Sequence, residues 1–329
     1  MAVETQQPTK PTFKTTTYKS DVHSEWCPGC GDFGIVAGIQ QALAELQLPP
    51  WETYLFSGVG CSGKAPHYIH VYGAHTLHGR VLPFSLGAKI ANPELTVLAV
   101  GGDGDGYGIG AGHFVHAGRR NVDMTYLVFD NEVYGLTKGQ ASPTLAQDAQ
   151  PKSLPAPNIF GAINPLALAL VCGYTFIARS YAFDSKHLKA TIQAAVQHRG
   201  MALIDVLQPC PTYNDLHTKE FYSGTVEVEG KTLPRVYYLD QAGYDGKVKN
   251  PQDTDEILAK QAQAYAKATA IEEQIALGVF YQVELPTYHD RVKHHLPLLQ
   301  EYTPLQVPYY KEDGTPTTDL TSAMADYCV

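Results

Sequence analysis

An open, mostly parallel α/β sheet with helices on both faces, followed by a C-terminal extension, is the fold class this sequence predicts. Three observations predict it. Between residues 32 and 207, strand-like apolar runs alternate with helical segments, the order that builds parallel sheets. The runs Thr96–Val100 and Met124–Phe129 are apolar on both faces, as central parallel strands are. Glycine-rich or turn-forming loops follow Ser57, Val100 and Phe129, and ligands of such sheets sit beyond the carboxyl ends of the strands.

Taken in order, residues 1–20 are rich in Thr, Lys and Gln without an apolar core. They read as a disordered lead and not as a signal peptide. Asp32 is the expected N-cap of a helix whose apolar positions include Phe33, Ile35, Val36, Ile39, Leu43 and Leu46, stopped by Pro49-Pro50. Thr53–Ser57 is a short buried strand leading into Gly58-Val-Gly-Cys-Ser-Gly63. Phe84–Ala91 is helical, Thr96–Val100 a strand, and Gly101–Gly106 a loop opening a helix that ends at Arg119-Arg120, basic residues that suit a helix C-terminus. Met124–Phe129 is the next strand. Helices at 162–171 and 185–198 then alternate with strands at 174–178 and 202–207.

After about residue 212 the pattern changes. Thr225–Val228 and Arg235–Leu239 flank a Glu229-Gly230 turn and suit a hairpin, and Asp253–Leu277 is a helix capped by Gly278. The last fifty residues carry no period. The expected organisation is therefore a lead over 1–20, an α/β domain over 21–215, and an extension over 216–329 that wraps its own domain or a partner.

A chain of 329 residues, 44% hydrophobic and 17% charged, is no disordered tail, coiled coil or collagen. So low a charged fraction suits a surface partly buried against a partner. The net charge of −9 argues against nucleic acid or an anionic membrane as the main partner. No run of 18 apolar residues occurs, so no membrane span is expected, and the expected setting is cytoplasmic.

Two constellations carry chemistry. Gly102-Asp103-Gly104-Asp105 follows one predicted strand, and Asn131 follows the next, 28 positions after Asp103. A carboxylate and a carboxamide at adjacent strand ends offer hard oxygen ligands to Mg²⁺, which completes its octahedron with phosphate oxygens. Glycines let backbone N–H groups approach those phosphates. The plainer reading, two tight turns, explains either half alone better than both together. The second constellation is Cys27, Cys30, Cys61 and Cys210, of which only Cys27-Pro-Gly-Cys30 is a close pair. Four thiolates can hold Zn²⁺ or an iron–sulfur cluster, and spacing alone does not choose. A disulfide-forming pair is the weaker option, because no thioredoxin-like strand precedes it. Cys172 ends an apolar helix and reads as a buried small hydrophobe; Cys328 is incidental. The pairs His67/His70 and His113/His116 have helical spacing but no third ligand. His78, beside Gly79-Arg80, is the better functional candidate. Lys64, three residues past Cys61, could give positive charge to a carboxylate or a reduced cluster.

Gly-Asp-Gly followed by Asn at this distance resembles the thiamine diphosphate motif. With Trp26-Cys-Pro-Gly-Cys-Gly31, Gly58-Val-Gly-Cys-Ser62, His78-Gly-Arg80 and Val133-Tyr-Gly-Leu-Thr-Lys-Gly-Gln140, residues 24–215 resemble the β subunit of 2-oxoacid:ferredoxin oxidoreductases. The motif's usual closing Asn-Asn pair has Asp130 in first place here, a departure that leaves Asn131 intact.

The resemblance implies the thiamine diphosphate-binding fold and a CoA-dependent oxidative decarboxylation of a 2-oxoacid, reversible, with electrons passed singly through a [4Fe–4S] cluster to ferredoxin. It assigns the cluster to Cys27, Cys30, Cys61 and Cys210. It assigns Mg²⁺ to the side chains of Asp103 and Asn131 and the carbonyl of Val133. Cofactor contacts fall on Val59, Gly60, Cys61, Ser62, Gly104, Asp105, Gly135 and Leu136. Lys64 and His78 are the catalytic candidates, with His78 on phosphate or substrate. The Cys-Pro-Gly-Cys form after Trp26 is similar to 2-oxoglutarate or broad-range members. A partner α subunit is expected to supply the pyrimidine-side domain and its activating glutamate, since no glutamate here sits in a convincing strand-end loop facing the cofactor. Two rivals share parts of the pattern: a non-redox thiamine diphosphate decarboxylase subunit, and a zinc-stabilised, non-catalytic interaction subunit.

Overall fold

The computed structural model describes residues 12–270 and 274–317. Among them, the strands in chain order are β1 Thr53–Ser57, β2 Tyr72–His75, β3 Thr96–Gly102, β4 Met124–Asp130, β5 Val133–Tyr134, β6 Gln140–Ala141, β7 Phe176–Tyr181, β8 Met201–Leu207, β9 Thr225–Val228, β10 Lys231–Pro234, β11 Val236–Tyr238 and β12 Ile275–Gln282. Eight of these form one sheet in the order β11-β12-β7-β8-β4-β3-β1-β2, while β5/β6 and β9/β10 are separate hairpins. The six strands from β7 across to β2 are mutually parallel, and β12 runs antiparallel to β7.

Strict alternation along the central strands builds a core on each face. On β3, Val97 and Ala99 join one core and Leu98 and Val100 the other; on β4, Tyr126 and Val128 oppose Leu127 and Phe129. The helices Asp32–Glu45 and Ser185–Gln197 cover one face through Ile35, Ile39, Leu43, Leu188 and Ile192. The other face is covered by the helices Val81–Ala91, Ala111–Arg120, Pro165–Cys172 and Thr254–Thr269, through residues such as Leu82, Phe114, Leu166 and Ala264. From β1 the chain turns to β2 on one side and then returns to β3 on the other. That reversal of winding is where doubly wound sheets open a crevice.

The structure differs from expectation mostly at the two ends. Residues 12–20 are not a disordered lead. Tyr18 is fully buried, its hydroxyl donating to the Leu48 carbonyl at 2.5 Å and its own carbonyl accepting from His70 N at 2.8 Å. Asp32 is the first residue inside its helix, with Gly31 at the cap. Edge strand β2, Tyr-Gly-Ala-His, is exposed at every position and carries no strand signal in the sequence. The helix expected over 253–277 does begin at an Asp253 cap but ends at Thr269. Gly278 is no helix cap: it lies within β12 at φ +127. The run Ile275-Ala-Leu-Gly-Val-Phe-Tyr is apolar on both sides because it is a sheet strand, with Leu277 and Phe280 wholly buried. The hairpin pairs Thr225–Val228 with Lys231–Pro234; Val236–Tyr238 instead joins the main sheet beside β12. The extension thus completes the sheet. Cys328 lies outside the described residues.

Truncating Phe280 to Ala should cost about 3–5 kcal/mol, as for other buried aromatics. Thermal unfolding checks this: a Phe280→Ala chain that melts with the unaltered one would mean that β12 is not part of the cooperative unit.

Candidate active site

Parallel pairing sets β1, β3 and β4 in register, so their carboxyl ends and following loops meet on one edge. Val59, Gly60, Cys61 and Ser62 after β1, His78 before the helix Val81–Ala91, Asp103–Asp105 after β3, and Asn131, Val133, Gly135 and Leu136 after β4 line a single cleft there. Residues separated by up to 77 positions are therefore neighbours.

Asp103 is 1% exposed. Its Oδ2 accepts from Glu132 N at 3.0 Å, from Thr144 Oγ1 at 2.7 Å and from Ser142 Oγ. These donors occupy one carboxylate oxygen and leave Oδ1 for a ligand. Burial raises the Asp103 carboxyl above its usual range, opposed by the Ser142 and Thr144 hydroxyls. Thr144 Oγ1 also lies 2.8 Å from Asp130 Oδ1. A hydroxyl has one proton, so the second contact requires one on a carboxyl. Burial, with the Asp205 and Asp103 carboxylates, pushes Asp130 well up and favours its neutral form. A neutral Asp130 could donate to Thr144, as an amide at that position could. Asn131 Oδ1 accepts from Val133 N at 3.0 Å, holding its carboxamide in a tight turn at the cleft.

Two buried atoms on the cleft wall lack partners within the protein, Ser62 Oγ and Asp105 Oδ2. An orphaned hydroxyl is what a phosphate oxygen would satisfy. Asp105 behaves differently from the expected cofactor contact. Its Oδ1 accepts from Val59 N at 3.0 Å, Gly79 N at 2.7 Å and His78 Nδ1 at 2.8 Å. The carboxylate therefore ties two loops together, and fixes the His78 ring through Nδ1, leaving Nε2 as its free atom. A Cβ at Gly58 would fall 1.9 Å from Asp105 Oδ2; only glycine lets the β1 loop approach this closely.

Cys27, Cys30, Cys61 and Cys210 line a second cavity of about 180 Å³ with Trp26 and Lys64. Cys61, Asn131, Gly135 and Leu136 belong to both walls. Among the described residues no three His, Cys, Asp or Glu stand close enough to hold a metal ion. Four thiols set around a roomy cavity suit a polynuclear cluster better than one Zn²⁺. Burial pushes Cys61 up to about 12 and raises Cys30 and Cys210 as well. Cys172 lies apart, in the last turn of the helix Pro165–Cys172. Lys64 pairs with Glu25 and lines the thiol cavity, not the strand-end cleft. His70 lies beyond the short helix Ala65–Tyr68 that holds His67.

Sequence reasoning missed several residues here. Ser142 and Thr144 come from a segment without periodicity. Asp32, read as a cap, is wholly buried with both oxygens unpartnered, and burial lifts its carboxyl to about 7. Glu132 is a glutamate in a strand-end loop, at φ +65, but its carboxylate is held by His217 Nδ1 and by Asn214 Nδ2 at 3.3 Å.

Fold and cleft together define a thiamine diphosphate-type α/β domain. Residues 58–206 match the model for the thiamine pyrophosphate enzyme C-terminal TPP binding domain, and residues 210–295 match that for the C-terminal region of the pyruvate ferredoxin oxidoreductase beta subunit. The chain is 50% identical to the 2-oxoacid:ferredoxin oxidoreductase subunit beta of Saccharolobus solfataricus, over 92% of this chain and 96% of that one. It is 37% identical to the 2-oxoglutarate oxidoreductase subunit KorB of Mycobacterium tuberculosis, over 85% and 81%. A solved 2-oxoglutarate:ferredoxin oxidoreductase from Magnetococcus marinus, with 2-oxoglutarate, coenzyme A and succinyl-CoA bound, superposes with a TM-score of 0.77 at 32% identity, covering 96% of this chain and 97% of that one. This chain belongs to the 2-oxoacid:ferredoxin oxidoreductase β subunits.

Asp105→Ala strands three donors at once, so it should cost at least about 1–3 kcal/mol. Urea denaturation would read the loss; an unchanged midpoint would mean that Asp105 is not the tie between the loops.

Proposed function

We propose that this chain, with a partner α subunit, carries out CoA-dependent oxidative decarboxylation of a 2-oxoacid to an acyl-CoA and CO₂, reversibly, with electrons leaving one at a time through a [4Fe–4S] cluster to ferredoxin. The observation that carries the reading is the shared wall: Cys61, Asn131, Gly135 and Leu136 separate a cleft of hard oxygen ligands from a cavity of four thiols. 2-Oxoglutarate is the favoured substrate, supported by the KorB relatives and the ligand-bound structural neighbour.

In this reading Mg²⁺ is held by Asp103 Oδ1, the Asn131 side chain and the Val133 carbonyl. The loop Val59–Ser62, with Gly104, Gly135 and Leu136, takes the diphosphate, and the orphaned Ser62 hydroxyl finds its partner there. Bound thiamine diphosphate supplies a nucleophilic carbon and an electron sink. His78, held through Nδ1 by Asp105, presents Nε2 to phosphate or substrate. Cys27, Cys30, Cys61 and Cys210 would ligate the cluster as thiolates. Lys64 contributes positive charge at the thiol cavity.

Near the cleft, Leu77 (next to His78), Ile109 (against Gly79) and Leu136 are exposed at 71%, 55% and 52%. Exposed apolar side chains beside a binding cleft fit a partner domain that covers them. That partner supplies the pyrimidine-side domain and the activating glutamate, because Glu132 is committed to His217 and Asn214. No described helix is long and apolar enough to cross a membrane. A cytoplasmic setting fits cysteines that are free rather than disulfide-bonded.

The test is a double dissociation in protein purified without oxygen. Cys→Ser at position 27, 30, 61 or 210 should lower iron content and stop ferredoxin reduction, while Cys172→Ser leaves both intact. Asp103→Ala should keep the iron but lose most Mg²⁺-dependent thiamine diphosphate affinity by calorimetry. Zinc without iron would establish a structural zinc site, and no four-iron signal with full decarboxylation would establish a non-redox enzyme.

The chain alone should show no 2-oxoacid-dependent dye reduction, and co-expression with its α subunit should restore it. Robust CoA-dependent turnover by the isolated polypeptide would refute the need for a partner.

A further inference from the structure

Gln208 belongs to neither sequence motif. It follows β8 directly and is 1% exposed. Its side-chain Oε1 accepts from Asn131 Nδ2 at 2.7 Å. Its Nε2 donates to Cys30 Sγ at 3.3 Å and to the Pro209 carbonyl at 2.8 Å. Its backbone N–H donates to the Asp130 carbonyl at 2.8 Å. A Cβ at Gly31 would come within 2.8 Å of Gln208 Cγ, so the loop carrying Cys30 is shaped around this side chain.

We propose that Gln208 is a positioning residue that couples the strand-end cleft to the thiol cavity, one end of its amide orienting Asn131 and the other donating to the Cys30 sulfur. The proposal rests on the reading that the cleft takes Mg²⁺ and diphosphate and that the thiols hold a cluster. A carboxamide suits the task because it offers an acceptor and a donor in one rigid plane. Anchoring Asn131 Nδ2 fixes which side of that amide faces the cleft; Oδ1 accepts from Val133 N and keeps its second lone pair for a cation. Partners that orient ligands in this way typically contribute 10–100-fold in metal affinity. At the other end, an N–H donated to a cysteine sulfur disperses the extra negative charge of the reduced cluster and raises its potential. A shift of the amide at one end moves it at the other. Cofactor binding and cluster potential are then linked, and the linkage is reciprocal.

The test uses the αβ complex purified without oxygen. Gln208→Met removes both functions: the midpoint potential in an EPR-monitored titration should move to more negative values, and thiamine diphosphate–Mg²⁺ should bind roughly 10–100-fold more weakly by calorimetry. Gln208→Glu keeps an acceptor for Asn131 but has no donor for Cys30 when ionised. It should lower the potential while leaving cofactor affinity close to that of the unaltered complex. Loading the unaltered complex with thiamine diphosphate and Mg²⁺ should shift its potential, and Gln208→Met should abolish that shift. A purely structural role would lower the melting temperature and move neither quantity.

A measurement without substitution guards against a variant that loses its cluster. Glutamine labelled with ¹⁵N in the side chain should give a nitrogen coupling to the reduced cluster in pulsed EPR. Absence of that coupling overturns the proposal, as does an iron-replete Gln208→Met complex with unchanged potential and affinity. An unaltered complex without iron overturns both this proposal and the cluster reading beneath it.

Discussion

Keeping a carboxylate at the bottom of a strand-end cleft is costly, several kcal/mol when nothing compensates its lost hydration. Asp103 meets that constraint with three donors on Oδ2: the Glu132 N–H and the hydroxyls of Ser142 and Thr144. The β5/β6 hairpin sits where it does because Val133 pairs with Ala141, which carries Ser142 and Thr144 back over the end of β3. The positive φ of Glu132 turns the chain so that its N–H reaches Asp103. Much of the irregular structure between β4 and residue 144 thus serves one oxygen atom. If, as proposed, the other oxygen ligates a divalent cation, its charge would complete the compensation.

Asp103 and Asp105 are two residues apart and chemically identical, yet they are put to opposite uses. Asp105 Oδ1 is engaged by Val59 N, Gly79 N and His78 Nδ1, so it is a tie between loops. The sequence shows a carboxylate in a glycine-rich loop in both cases and does not distinguish them. What distinguishes them is which loops the sheet order brings alongside, and β1 lies between β2 and β3. Legibility follows the same division. The apolar strands, the Gly-Asp-Gly loop of Asp103 and the Cys27-Pro-Gly-Cys30 pair were legible because each is a short contiguous pattern, whereas Asn131, Cys61 and Cys210 joined them only through the resemblance. Ser142, Thr144 and Gln208 could not, since their meaning lies in partners 39, 41 and 178 residues away. At the C-terminal end the error had a local cause. A run rich in Ala, Gln and Lys favours helix, and Gly278 resembles a stop signal, whereas the apolar run from Ile275 was the strand that completes the sheet beside β7.

The thiol cavity raises a different question, because its cysteines come from distant parts of the chain: the lead into the first helix, the β1 loop and the residues after β8. A site assembled from such separate pieces can depend on its metal for its shape. Here hydrogen bonds between the same pieces already join them. Trp26 Nε1 donates to the Cys61 carbonyl at 2.8 Å, and Gly31 N donates to the Pro209 carbonyl at 3.2 Å. Each bond links the Cys27–Cys30 segment to one of the other two, and Trp26 itself packs edge-on against Tyr68 and Phe33. These two bonds use backbone carbonyls next to the thiols, not the thiols themselves, and among the described residues the one side-chain donor to these sulfurs is Gln208 on Cys30. A metal group bound by these thiols would enter a space that hydrogen bonds between the same segments already bound. Cys61 lines both cavities, and its carbonyl is the one that Trp26 holds, so a residue common to both walls is fixed by a bond that frames the thiol cavity.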